Sequence, residues 1–254
     1  MTHIPSDIDE FFRALRSLSP ALGEGTGSPP SIPREFFRHA MQLRSMLHRE
    51  RKSCANRFNI FRTLGIETNE ILHSKLIACL LDPNGYHDQG TFPLESFLTM
   101  AGLRHLLPSD VAAEQIFVWT EWPIANGRID IAIFIGDSTV VCIENKIGAP
   151  EQPDQIGRYQ QWLSRACKDT SRTAIVFLTP DARTATTAMT GSGANAAPIS
   201  PISYGDMATW LDDLGRDVPR QLGMLLGMYR DVCDQIVTTA NGIQSSRPTQ
   251  ERGE

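Results

Sequence analysis

Apolar and polar positions divide the chain into three stretches of different rhythm. From Glu35 to Ala55, apolar residues recur at helical spacing (Phe36, Phe37, Met41, Leu43, Met46, Leu47), which predicts an amphipathic helix. A second helix is expected over Thr68–Leu81, with Thr68 or Asn69 as cap and the turn Asp82-Pro83-Asn84-Gly85 as its stop. A third is expected over Phe92–Leu103. The rhythm then shortens. Glu114–Trp122, Arg128–Ile135 and Thr139–Ile147 read as strands, joined by Asn126-Gly127 and Gly136-Asp137-Ser138 turns. A helix follows over Pro153–Ala166, with Pro153 placed in its first turn. Thr173–Leu178 is uniformly apolar, as in a strand buried on both faces. After a loop of small residues (Thr179–Ala197) come a short strand at Ile199–Ser203 and helices over Asp206–Leu214 and Val218–Thr239. A short helix over Asp7–Leu18 and a Gly/Ser/Pro-rich linker over Leu22–Pro33 precede this body, and a polar tail begins at Gln244. The order predicts an α/β fold, a mixed sheet flanked by helices, with helical additions at both ends.

Two strands break their own pattern. Alternation puts Glu144 and Lys146 on one face of an otherwise apolar strand, with Val141, Ile143, Asn145 and Ile147 on the other. On the preceding strand Asp130 shares a face with Ala132 and Phe134. Burying unpaired charges is costly, so these residues call for a reason. Fourteen positions separate Asp130 from Glu144, and a hairpin of that length brings the carboxylates side by side near its open end. Two close carboxylates repel unless a cation lies between them, and hard oxygen donors suit Mg²⁺ or Mn²⁺.

Asp130 followed by Glu144-Asn145-Lys146 resembles the D…(E/D)-x-K signature of the PD-(D/E)XK nuclease superfamily. The likeness extends to Glu70-Ile71-Leu72-His73-Ser74 through Gly85 and His87, to Gly127-Arg128-Ile129-Asp130-Ile131, to Ile143–Ile147, to the helix with Gln155 and Tyr159, and to Val176–Pro180. The three-residue motif alone is weak; the ordered set over Glu67–Pro180 is far more specific. The pair's usual proline is replaced by Ile129. The resemblance implies a restriction-endonuclease-like core at about 67–204 inside a nuclease domain spanning 34–243, between an N-terminal segment 1–33 and a tail 244–254. It implies that Asp130, Glu144 and Glu70 bind metal, with Glu67 a rival for Glu70's role. It implies that Lys146 orients or deprotonates the attacking water or stabilises the transition state, and that Gln155 and Tyr159 border the site. The implied reaction is Mg²⁺-dependent hydrolysis of a phosphodiester, Mn²⁺ substituting, most readily on DNA and leaving a 5′-phosphate, in defence or DNA processing. A non-cleaving scaffold of the same fold, and an RNA-directed nuclease or toxin, are the alternatives.

Composition changes this picture little. Hydrophobic residues make up 41% and charged residues 21%, ordinary for a globular protein. The net charge of −5 argues mildly against nucleic-acid binding, but carboxylates gathered at a metal site account for part of it. Basic residues also cluster at Arg44, His48, Arg49, Arg51, Lys52 and Arg57. The five cysteines are widely spaced, with no Cys-x-x-Cys pair, which excludes a zinc knuckle or disulfide framework and favours a reducing cytoplasm. No apolar run reaches membrane-span length and the N-terminus lacks secretory-signal character, so a cytoplasmic protein is expected. A homodimer or a partner protein bringing the substrate is left open. Ordinary structural roles are expected for other residues: Glu121 pairing with Arg128, His73 and Ser74 packing or capping, His87 in a loop, and Trp119, Trp122, Trp162 and Trp210 in the core.

Overall fold

A computed structural model of the chain describes residues 38–42, 44–46, 58–167, 169–189 and 196–245. The expected Asp7–Leu18 helix, the Leu22–Pro33 linker, most of the Glu35–Ala55 helix and the tail after Ser245 lie outside the described residues. Residues 38–42 and 44–46 are helical, as the spacing predicts. They belong to a separate compact unit, Met1–Phe58; the second unit, Asn59–Glu254, carries the fold described below.

Its helices are α1 (Ile60–Thr63), α2 (Glu70–Leu81), α3 (Phe92–Met100), α4 (Gln155–Ala166), α5 (Tyr204–Arg216) and α6 (Arg220–Ser245). Its strands are β1 (Ile116–Ile124), β2 (Gly127–Ile135), β3 (Thr139–Asn145), β4 (Thr173–Thr179) and β5 (Ile199–Ser203). The sheet order is β1-β2-β3-β4-β5, antiparallel across β1–β2–β3 and parallel across β3–β4–β5. This is the mixed α/β sheet that the sequence predicts. All seven residues of β3, and all seven of β4, are buried, as expected for central strands covered on both faces.

Two apolar cores lie on opposite faces of the sheet. One joins Ile131, Ile133, Val141 and Ile143 to Ile77 of α2 and Leu211 of α5. The other joins Ala132, Val140 and Cys142 to Ile156 and Leu163 of α4. Local chemistry sets the helix starts. Asn69, rather than Thr68, caps α2 by accepting the Leu72 N–H, and Ser203 and Asp206 form a reciprocal capping box on α5. Pro153 lies outside the first turn of α4, because the cap residue is Asp154, in a left-handed conformation (φ 51°). The described cysteines Cys79, Cys142, Cys167 and Cys233 are free. Among the described residues no helix is long and apolar enough to cross a membrane.

Strict alternation fails at one place. Glu121 adopts a left-handed backbone (φ 55°) opposite Asp130, where the β1–β2 pairing skips a rung between Thr120↔Ile131 and Trp122↔Ile129. The local turn brings Trp119 and Trp122 together, with ring centroids 6.1 Å apart, although an odd and an even position would normally face apart. Trp122 then packs edge-on against Phe134. The expectation of a buried Trp119 is overturned: it is 53% exposed, because β1 is an edge strand. Trp210 is buried as expected.

Candidate active site

The site forms where the β2–β3 hairpin opens. The last paired rung is Ile131↔Ile143; extended by one residue, the same register sets Asp130 opposite Glu144, and the two carboxyls are near enough for Glu144 to act on Asp130. Asp130 is held by the backbone of the neighbouring strand: the Asn145 N–H donates to its Oδ2 at 2.9 Å.

Glu144 is fully buried and every part of its carboxylate is engaged. Lys146 Nζ lies 2.7 Å from Oε1, confirming that these two residues share a face. Gln155 Nε2 donates to the same oxygen at 2.6 Å. The Tyr159 hydroxyl lies 2.5 Å from Oε2 and 2.6 Å from the Arg128 carbonyl. One hydroxyl proton serves these two acceptors, so it is shared between the carboxylate and the carbonyl. Gln155 and Tyr159 are buried, one helical turn apart on the inner face of α4. They line the carboxylate rather than an exposed rim. Gln155 is itself fixed, since its Oε1 accepts the Gln152 N–H at 3.0 Å.

The electrostatics follow from packing acids into a dry place. Burial, then the neighbouring Glu144, pushes the Asp130 carboxyl up to about 7. Burial also raises Glu144, against the lowering pull of Lys146. For Lys146, burial works against the ammonium, but Glu144, Asp130 and Glu70 outweigh it and raise the pKa. The lysine is therefore a firmly held cation between acids.

Glu70, at the first turn of α2, is occupied differently from Asp130 and Glu144. Its Oε1 accepts three successive backbone N–H groups, from Ile147 at 2.7 Å, Gly148 at 3.1 Å and Ala149 at 3.2 Å. It ties the segment after β3 to the start of α2. Glu67 contributes its carbonyl, which contacts His73 Nε2 at 3.0 Å.

A further polar set, only partly visible in sequence, braces the site from the other face of β3. Asn145 Nδ2 donates to the Glu70 carbonyl (3.1 Å) and to Ser74 Oγ (3.2 Å), and its Oδ1 accepts from the Tyr204 hydroxyl (2.8 Å). His73 Nδ1 meets the Tyr229 hydroxyl at 3.0 Å, and burial lowers the histidine's pKa. His73 and Ser74 are thus structural partners, as their ordinary reading holds. The polar Asn145 on an apolar face was the available signal; Tyr204 and Tyr229, on remote helices, gave none. Glu121 pairs with Arg128 at 3.1 Å, as expected.

The donor chemistry suits a hard divalent cation. Mg²⁺ is commonly bound by one or two carboxylates plus waters and substrate phosphate oxygens, and Asp130 with Glu144 supplies such a pair. Among the described residues no three His, Cys, Asp or Glu side chains converge tightly enough to enclose a metal by themselves. The pair therefore fits an open site rather than a closed cage.

No curated protein and no solved structure gives a significant match to the chain. A family model of the PD-(D/E)XK nuclease superfamily matches residues 58–227, which include both strands of the hairpin, α2 and α4.

Proposed function

Because the chain belongs to the PD-(D/E)XK nuclease superfamily, whose nucleases generally use divalent metals, we propose that it hydrolyses phosphodiester bonds of DNA in a Mg²⁺-dependent reaction at Asp130, Glu144 and Lys146. The observation that supports this reading is the β2–β3 register, which extended one residue past Ile131↔Ile143 sets Asp130 opposite Glu144, with the Lys146 ammonium 2.7 Å from Glu144.

Asp130 and Glu144 would hold the cation, which lowers the pKa of a bound water and offsets phosphate charge. Lys146 sits where negative charge grows during attack and stabilises it without rearrangement. Gln155 and Tyr159 fix Glu144 so that its carboxylate does not rotate away from Asp130. Glu70 supports the site by fixing the Ile147–Ala149 backbone, and this hold leaves its second oxygen for a further contact. A role in defence or DNA processing and a place in the cytoplasm fit this activity.

The test is incubation of the protein with plasmid, linear duplex and single-stranded DNA, and RNA, in Mg²⁺, Mn²⁺ or EDTA. Cleavage that requires the cation and drops at least about a hundredfold in Lys146→Ala and Asp130→Ala is expected. Cleavage that persists in EDTA and in both variants would overturn the mechanism. Cation binding without cleavage of any substrate would favour a nuclease-fold scaffold, and cleavage confined to RNA would correct the substrate.

A further inference from the structure

A small crevice of about 170 Å³ opens beyond the carboxyl ends of the parallel pair β3–β4. Crevices at such strand ends are the common ligand sites of α/β sheets. It is lined by Lys146 and Gly148 after β3, by Asp181 and Arg183 after β4, and by Ala240 of α6. The space is well below the roughly 300 Å³ at which pockets begin to enclose whole small molecules, so it suits a single group.

Arg183 is built into place. Its Nη1 lies 2.9 Å from Glu151 Oε1, and its guanidinium carbon stands 5.3 Å from the centroid of the Phe177 ring. Glu151 is anchored in turn: its side chain is 3% exposed and accepts from the backbone N–H and hydroxyl groups of Thr186 and Thr187. The backbone N–H donates to Thr179 Oγ1 at 3.1 Å, while among the described residues the guanidinium bonds only through Nη1, and the side chain is 37% exposed. A planar fork held from behind with its front open is the arrangement that recognises phosphate oxygens. Lys146, whose ammonium is held 2.7 Å from Glu144, also lines the crevice. Asp181 also lines the space, and Thr179 donates to its Oδ1 at 3.4 Å.

We propose that Arg183, which lines this crevice together with Lys146, forms a phosphate subsite that grips the nucleic-acid backbone beside the scissile bond. The proposal rests on the nuclease reading above and adds a binding residue to it. Lys146 serves the reacting phosphate, and Arg183 holds a neighbouring one, so that the strand is registered on the catalytic pair before attack.

The test uses the full chain and fluorescein-labelled single-stranded and duplex DNA, and RNA. Anisotropy in EDTA is read over a series of KCl concentrations, with cleavage kinetics in Mg²⁺ and a thermal melt of each variant. Arg183→Ala is expected to weaken binding about tenfold, to flatten the slope of log affinity against log salt by about one, and to raise KM more than it lowers kcat. Arg183→Lys, which keeps charge but loses the fork, is expected to keep the slope and bind more weakly than the parent. Ala240→Leu, which fills the crevice and leaves Arg183 intact, is expected to weaken binding with an unchanged melt. If the parent cuts, and Arg183→Ala and Ala240→Leu bind and cut as it does, the subsite is wrong while the nuclease reading stands. If Arg183→Ala melts early, Ala240→Leu decides, and normal binding there overturns the subsite. If the parent neither binds nor cuts any substrate, both readings fall.

Discussion

At the scale of single residues, the site is a problem in satisfying one buried carboxylate. Glu144 is wholly enclosed, and Lys146, Gln155 and Tyr159 are its partners. Removing one partner leaves charge or a polar atom without compensation, which costs more than the bond itself is worth. Lys146→Met keeps the bulk and removes the ammonium. It should therefore lose cleavage and also melt earlier, with Glu144 driven further toward its neutral form. Tyr159→Phe keeps the ring, which is fully buried against α4's core, and removes only the hydroxyl. A loss of about 1–3 kcal/mol in denaturant unfolding is expected, with cleavage reduced but present. A Tyr159→Phe protein as stable and as active as the parent would show that the hydroxyl does not hold Glu144. The sequence made Glu144 and Lys146 legible because two charges on an apolar strand stand out. The helical turn between Gln155 and Tyr159 put them on one face, and only the family resemblance put that face at the site. The sequence did not reveal how Glu70 is used, since a carboxylate at a helix start serves a metal, a dipole or a loop equally well. Only the positions of the Ile147, Gly148 and Ala149 amides distinguish these roles.

At the scale of elements, one strand is fastened to two helices by a single amide. Asn145 is joined to α2 through the Glu70 carbonyl and Ser74, and to α5 through Tyr204, while its own N–H holds Asp130. Tyr204 in turn lies 3.4 Å from His73, which contacts Tyr229 on α6. Asn145→Ala should cost about 1–3 kcal/mol, because it takes the close acceptor from the Tyr204 hydroxyl and a donor from Ser74 Oγ in a dry interior. The backbone N–H to Asp130 survives the substitution, so the catalytic geometry should loosen rather than vanish. Cleavage kinetics should show a lowered kcat with little change in KM, whereas an unchanged kcat in a destabilised protein would confine Asn145 to stability. The strands themselves were legible from alternation and turn residues, and Ile199–Ser203 was placed residue for residue. The kink at Glu121 was not. A left-handed glutamate carries no local sign, since glycine or asparagine usually takes that conformation. Its consequence, Trp119 and Trp122 on one face, therefore escaped a reading built on strict alternation.

At the scale of the whole molecule, two acids pull stability in opposite directions with pH. Burial alone would raise the Glu151 carboxyl, but the hydrogen bonds from Thr186 and Thr187 together outweigh it and bring it down to about 2 from an ordinary 4.5. A lowered folded pKa stabilises the protein above 4.5, and that contribution is lost as pH falls from about 4.5 to 2. Asp130 is raised from 3.8 to about 7, by burial first and Glu144 second. A raised acid has the opposite sign: the folded state keeps a proton that the unfolded chain has released, so stability declines as pH climbs from about 4 to 7. The cation-free protein should consequently be most stable in mildly acidic solution and should lose melting temperature on both sides. Added Mg²⁺ or Mn²⁺ offsets the paired carboxylates, so it should raise the melting temperature most at neutral and higher pH and move the optimum upward. Asp130→Asn should flatten the alkaline side in EDTA, abolish the cation's effect and leave the acid side intact, while Glu151→Gln should flatten only the acid side. Melting curves of the three proteins from pH 3 to 9, with and without the cation, decide the matter. An alkaline decline that survives in Asp130→Asn would mean that the buried pair is not the seat of the strain that a cation relieves.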